Sequence, residues 1–134
     1  MPPFVDDIVV CPNEVRLIRI LRNESFWTPK DVPTRASSGA FFDGLKENSC
    51  FMLHHLTPEH FKKIEDKYSK SKLAVITAAD ARACGYTVCD DPSDFLPGHV
   101  VVCPPKDIKS NAYRRMADRL ANLSAIFQQP EPTL

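Results

Sequence analysis

No stretch of these 134 residues is apolar for long enough to cross a bilayer, since a spanning helix needs roughly 20 such residues in a row. An excess of one charge is missing too, because 17 basic residues stand against 17 acidic ones. A balanced chain exerts no global pull on nucleic acid or on an anionic membrane, so binding of that kind needs a local patch. The opening, MPPFVDDIVV, carries two acids and no basic stretch, so it does not read as a secretion signal. Cys11, Cys50, Cys84, Cys89 and Cys103 form no CxxC, which removes the paired spacing of a zinc site. They are expected to be reduced, mostly buried thiols of a cytoplasmic protein. Walker A, GxGxxG and GxSxG patterns are absent, and with them the usual marks of a phosphate loop or a nucleophile elbow. No repeat or low-complexity block is found, and no motif calls for a metal or a cofactor.

What is present is an ordinary globular composition, 43% hydrophobic and 25% charged. That length favours one domain with a real core, placed over residues 1–128 with 129–134 as a loose tail. The strongest stretch runs from His99 to Phe127. Val100, Val101 and Val102 are β-branched in a row and suit a strand buried on both faces. Pro104 and Pro105 end it, because neither can donate to a ladder. Tyr113, Met116, Ala117, Leu120, Leu123 and Phe127 then follow at helical spacing and make one apolar stripe. Ser110 or Asp107 is the expected N-cap.

Earlier segments read less sharply. Ile8 to Cys11 fits a short strand closed by Pro12. Val15 to Arg22 fits a strand or a helical turn, with strand preferred because no helix stop follows. The loop 23–35 carries Trp27, whose indole implies a loop pinned to the body. Asp43-Gly44 marks a turn, and Ser49 to Leu56 a strand. Thr57-Pro58-Glu59 opens a helix with the apolar stripe Phe61, Ile64, Tyr68 and a solvated, lysine-rich face. Leu73 to Ile76 is a strand. Thr77 caps a short helix that Gly85 ends, and Tyr86 to Cys89 is another strand. Alternating strands and helices indicate an α+β or α/β domain, with a small mixed sheet and about three helices, the longest C-terminal.

The best chemical constellation is His99 with Ser37, Ser38 and the basic residues Lys106, Lys109, Arg114 and Arg115. His99 opens a buried strand and so stands at a sheet end, where pockets form. Imidazole can act there as acid, base or hydrogen-bond partner near neutrality. The basic residues surround a helix start that favours an anion. These groups are expected to converge on one anion-accepting surface, unless His99 simply bonds a nearby carbonyl. Asp90, Asp91 and Asp94 read as a turn more than a cation site. His54 and His55 would face opposite sides of a strand, which disfavours shared ligation.

The order ASSGAFFD, a TPE helix start, ITAADARACGY, a DP turn, PGHVVVCPP and SNAYRRMADRLA resembles a loosely defined set of small bacterial proteins. Those carry P-S-S-x-A-F, A-x-x-A-R-x-x-G and H-x-x-V segments and a basic C-terminal helix. The resemblance covers roughly residues 16 to 123; Ala36 stands where the set has proline, and Gly39 interrupts the first segment. It implies a stand-alone bacterial cytosolic domain and no particular activity. The leading expectation is therefore an accessory or protein-interaction protein without clear catalytic motif, its partner encoded nearby. The alternative is a small enzyme or binder acting on a nucleotide or nucleic acid. One form of it is similar to ADP-ribosyltransferases, with Arg16 or Arg19 on a first strand and Ser37-Ser38 on a second. Its catalytic glutamate has no matching motif at Glu47 or Glu59. Another form is a nucleic-acid binder using Lys106 to Arg119.

Overall fold

A computed structural model describes residues 6–21, 35–68 and 72–127. The expectations for Trp27 and its loop and for the tail lie outside those residues. Six strands form, β1 (Arg16–Leu21), β2 (Asn48–Met52), β3 (Lys72–Thr77), β4 (Thr87–Asp90), β5 (His99–Cys103) and β6 (Ala125–Ile126). The helices are α1 (Pro58–Lys67), α2 (Ala78–Ala83) and α3 (Ser110–Leu123), with 3-10 turns at Ser38–Phe41 and Leu53–His55. The strands lie in the order β4-β5-β2-β1-β3-β6. Every pairing is antiparallel, where the sequence suggests a mixed sheet. The class is α+β, and the longest helix is the last.

Strand alternation divides the sheet into two apolar faces. Leu17, Leu21, Cys50, Met52, Ile76, Val100 and Val102 pack under Tyr113, Met116, Ala117 and Leu120 of α3. Ile20 and Phe51 point the other way, onto Ile64 of α1 and Leu96. Val101 joins Cys89 and Cys103 on that second face. The valine run is thus buried from both sides, as its composition implies.

Several local expectations are corrected. Ile8–Val10 form an exposed turn and not a strand. The edge they would have joined is already capped, since Asp6 and Asp7 carboxylates accept from the Val88 and Asp90 amides. The strand expected through Leu56 stops at Met52, and His54 and His55 sit in the following 3-10 turn with rings 4.3 Å apart. Helix α1 is capped from within: Nδ1 of His60 accepts from the Thr57 amide at 2.9 Å. Lys109 holds the N-cap position of α3, with neither Ser110 nor Asp107 there. Leu123 is exposed. The helix ends beside it and Phe127 lies beyond β6, stacked on Phe61 at 5.4 Å. Thr77 caps α2 as expected, accepting from Asp80 at 3.0 Å. Gly85 follows with φ +106, a conformation that side chains resist. Among the described residues no helix is long and apolar enough to cross a membrane. All five cysteines are free and buried.

Candidate functional site

The site forms where β1 and β2 part. β1 pairs with β3 along its full length but with β2 only at Leu17↔Met52 and Ile18↔Phe51. Beyond Ile18 a side chain takes over from the backbone. Arg19, only 4% exposed, donates from Nη1 to the Ser49 carbonyl and from Nε to the Ala40 carbonyl, each at 2.9 Å. A buried guanidinium is tolerable only when its donors are engaged in this way.

His99 is set by the residue before it. Gly98 has φ +76, and a Cβ there would lie 2.9 Å from Cβ of His55. Glycine is therefore required on both counts. The Gly98 carbonyl accepts from the Met52 amide at 2.8 Å, and the Asp91 amide donates to the His99 carbonyl at 3.1 Å. The loop 91–98 is thereby closed at the start of β5.

From that position the imidazole bridges two partners. Nε2 lies 2.5 Å from Oγ of Ser49. Nδ1 meets the main-chain carbonyl of Asp91 and stands 3.5 Å from the Asp91 carboxylate. A carbonyl can only accept, so Nδ1 carries the proton. In the neutral ring Nε2 is then bare and accepts from the Ser49 hydroxyl. Ser49 therefore has its proton directed at a base whose other nitrogen is held by Asp91. That is the arrangement of an activated nucleophile. The ring packs on Phe51, centroids 5.0 Å apart.

These groups open into a cavity of about 200 Å³ lined by Arg19, Ser49, Lys67, Tyr68, Phe95 and His99, among others. Lys67 holds its ammonium 4.4 Å from the centre of the Phe95 ring, an attractive placement over an aromatic face. The wall thus combines the Lys67 cation with hydroxyl and aromatic groups, while the Arg19 guanidinium is engaged by the Ala40 and Ser49 carbonyls. Cys50, the neighbour of Ser49, points to the opposite face, and burial pushes its thiol up to about 12. A thiol so held is no competing nucleophile. Among the described residues no cluster of His, Cys, Asp or Glu is arranged to hold a metal ion.

Of the residues singled out from sequence, the structure brings Ser38, Arg114 and Arg115 into one groove, with Asp118 and Arg119. His99 is not among them. It shares the face of Val101 and Cys103, away from α3, so the expected convergence does not occur. The single common surface fails because a strand's alternation, and not its end, decides which layer a side chain joins. Lys106 and Lys109 are exposed ahead of α3 and line neither cavity. Ser37 and Ser38 stand at a 3-10 turn and not on a second strand. In the transferase-like arrangement Arg19 is bonded to the Ala40 and Ser49 carbonyls, and the serine in the cavity is Ser49. From the sequence Ser49 reads only as the start of a strand and Asp91 only as part of a turn. The one available signal was the alternation of Ser49 with Phe51, and it needs the β2–β5 register to acquire meaning. Comparison with known protein families, with characterised proteins and with solved structures finds no match.

Proposed function

We propose that the chain is a small hydrolase that transfers an acyl group to Ser49, on a substrate carrying negative charge. The observation that carries this reading is the 2.5 Å contact from Ser49 Oγ to a histidine nitrogen whose ring partner forces it to be the acceptor. As Oγ bonds to the carbonyl carbon, its proton passes to Nε2 of His99. The imidazolium gives that proton to the departing oxygen or nitrogen, and the Asp91 carboxylate at 3.5 Å steadies it meanwhile. Water, deprotonated by the same nitrogen, then frees Ser49. Lys67 favours a negative group in the cavity. A volume of about 200 Å³ limits what enters to a small acyl group or the end of a larger molecule. The bacterial cytosolic setting implied by the resemblance belongs to the same reading.

The test is covalent labelling with a fluorophosphonate, read by intact mass and peptide mapping. One adduct on Ser49 is expected, and His99→Ala should slow its formation roughly 10²–10⁴-fold, the usual contribution of a positioned base. No adduct, or an adduct elsewhere, removes the proposal.

A second reading, an accessory protein that binds another protein, is favoured by the turn Ile8-Val9-Val10, exposed at 53%, 89% and 42%. Three adjoining exposed aliphatics suit a small contact patch. Val9→Asp should abolish capture of such a partner while leaving Ser49 labelling untouched.

A further inference from the structure

We infer that the groove along the outer face of α3 binds a pyrophosphate-type group, as in a nucleoside diphosphate. Arg114, Arg115 and Arg119 line it with Ser38 and Asp118. Among the described residues none of the three arginines is in an ion pair. Arg82 shows the contrast, with its guanidinium held 3.0 Å from the Asp6 carboxylate. Asp118 is the one carboxylate in the lining, and it accepts from the Ser38 hydroxyl at 2.8 Å. Arg115 and Arg119 are one helical turn apart, and like charges at that spacing repel. An anion between them turns the repulsion into attraction.

The groups are also well mounted. Arg114 is stacked over Phe42, 5.0 Å from the ring centre, which restricts the sweep of its guanidinium. The helix beneath is anchored by Tyr113, Met116, Ala117 and Leu120, all buried. Arginine forks match phosphate oxygens two at a time. The groove is open along its length, so a charged ligand is held by its contacts with the arginines rather than by enclosure. A small multiply charged ligand fits better than nucleic acid, because the chain is neutral overall and the cations form one cluster rather than a long track. This groove faces away from the Ser49–His99 cavity, so the inference stands apart from the hydrolase reading.

The experiment is calorimetric titration of the full chain with sodium pyrophosphate, ADP, orthophosphate and a single-stranded oligonucleotide, with circular dichroism to verify folding. Pyrophosphate and ADP should bind saturably. Arg115→Ala and Arg119→Ala should each weaken them about tenfold or more, the factor for losing one charge-assisted contact. Ser49→Ala should bind as the parent does. Three results would overturn the inference: no saturable binding of pyrophosphate at millimolar concentration, equal binding by the protein carrying both Arg115→Ala and Arg119→Ala, or binding of the oligonucleotide that pyrophosphate does not displace.

Discussion

Asn48 tests how this fold tolerates polarity at its centre. It is fully buried, on the face under α3. Its amide nitrogen donates to the Val102 carbonyl at 2.9 Å and approaches the Tyr113 hydroxyl at 3.1 Å, while its oxygen accepts from the Asp43 amide at 3.2 Å. The Tyr113 hydroxyl accepts from the same Asp43 amide at 3.0 Å. Asn48→Ala strips three contacts and leaves the Val102 carbonyl without its side-chain donor in a dry layer. One stranded buried group costs about 1–3 kcal/mol, so with the cavity added a loss of about 2–4 kcal/mol follows. Tyr113→Phe removes only the hydroxyl and should cost about 1–2 kcal/mol, because Asn48 still serves Asp43. The double variant should be less destabilised than the sum, with a coupling of about 0.5–1.5 kcal/mol. Urea unfolding of the four proteins, followed by circular dichroism, gives all three numbers. Strict additivity, or an Asn48→Leu protein as stable as the parent, would show that the network is not a structural requirement.

Two further outcomes follow from packing and ionisation. Leu120→Ala should cost about 2–5 kcal/mol, whereas Leu123→Ala should stay within about 0.5 kcal/mol, since Leu120 is fully buried and Leu123 is 51% exposed. Chemical denaturation would separate the two, and similar costs would mean that the helix phase is wrong. Cys50 adds to the alkaline limit, as does Cys103, whose buried thiol is also raised to about 12. The folded value of Cys50 is raised to about 12 from 9.0, so below 9 it adds no pH dependence. Between 9 and 12 only the unfolded chain releases the proton, and stability falls by about 1.4 kcal/mol per pH unit on that account. Cys50→Ala should lower the slope by about 1.4 kcal/mol per pH unit in unfolding curves taken across that range, leaving the share of Cys103 and the other buried thiols, and an unchanged slope would contradict the raised Cys50 value.

Much of this architecture was legible because it rests on local chemistry. Three adjacent β-branched residues named β5. The period of Tyr113, Met116, Ala117 and Leu120 named α3, and Thr77 with Gly85 bounded α2. What escaped depends on contacts distant in sequence. The end of α3 is decided by Ser124, whose hydroxyl donates to the Ala121 carbonyl at 2.7 Å and accepts from the Ala36 amide at 3.0 Å. That second bond spans 88 residues, and no local pattern announces it. Antiparallel pairing has the same origin, since β2 meets β5 across α1, β3, α2 and β4. At the site, a histidine opening a buried strand signalled a pocket. Its carbonyl partner was also foreseen as the plain structural use. Ser49 reaches His99 only diagonally, because Phe51 is the residue directly opposite, and no pattern in NSCFM announces a diagonal partner. Arg19 reads as an alternating strand residue until the parting of β1 from β2 gives its guanidinium a place.

The central claim, that Ser49 is armed by His99, rests on which ring nitrogen carries the proton. Long-range proton–nitrogen correlation spectra of the His99 ring, assigned with the His99→Ala protein, read this directly. The expected result is the Nδ1-protonated tautomer of the neutral ring, with a Nε2 resonance that shifts in Ser49→Ala. A proton on Nε2, with Nδ1 bare, would make Ser49 an acceptor and contradict the claim.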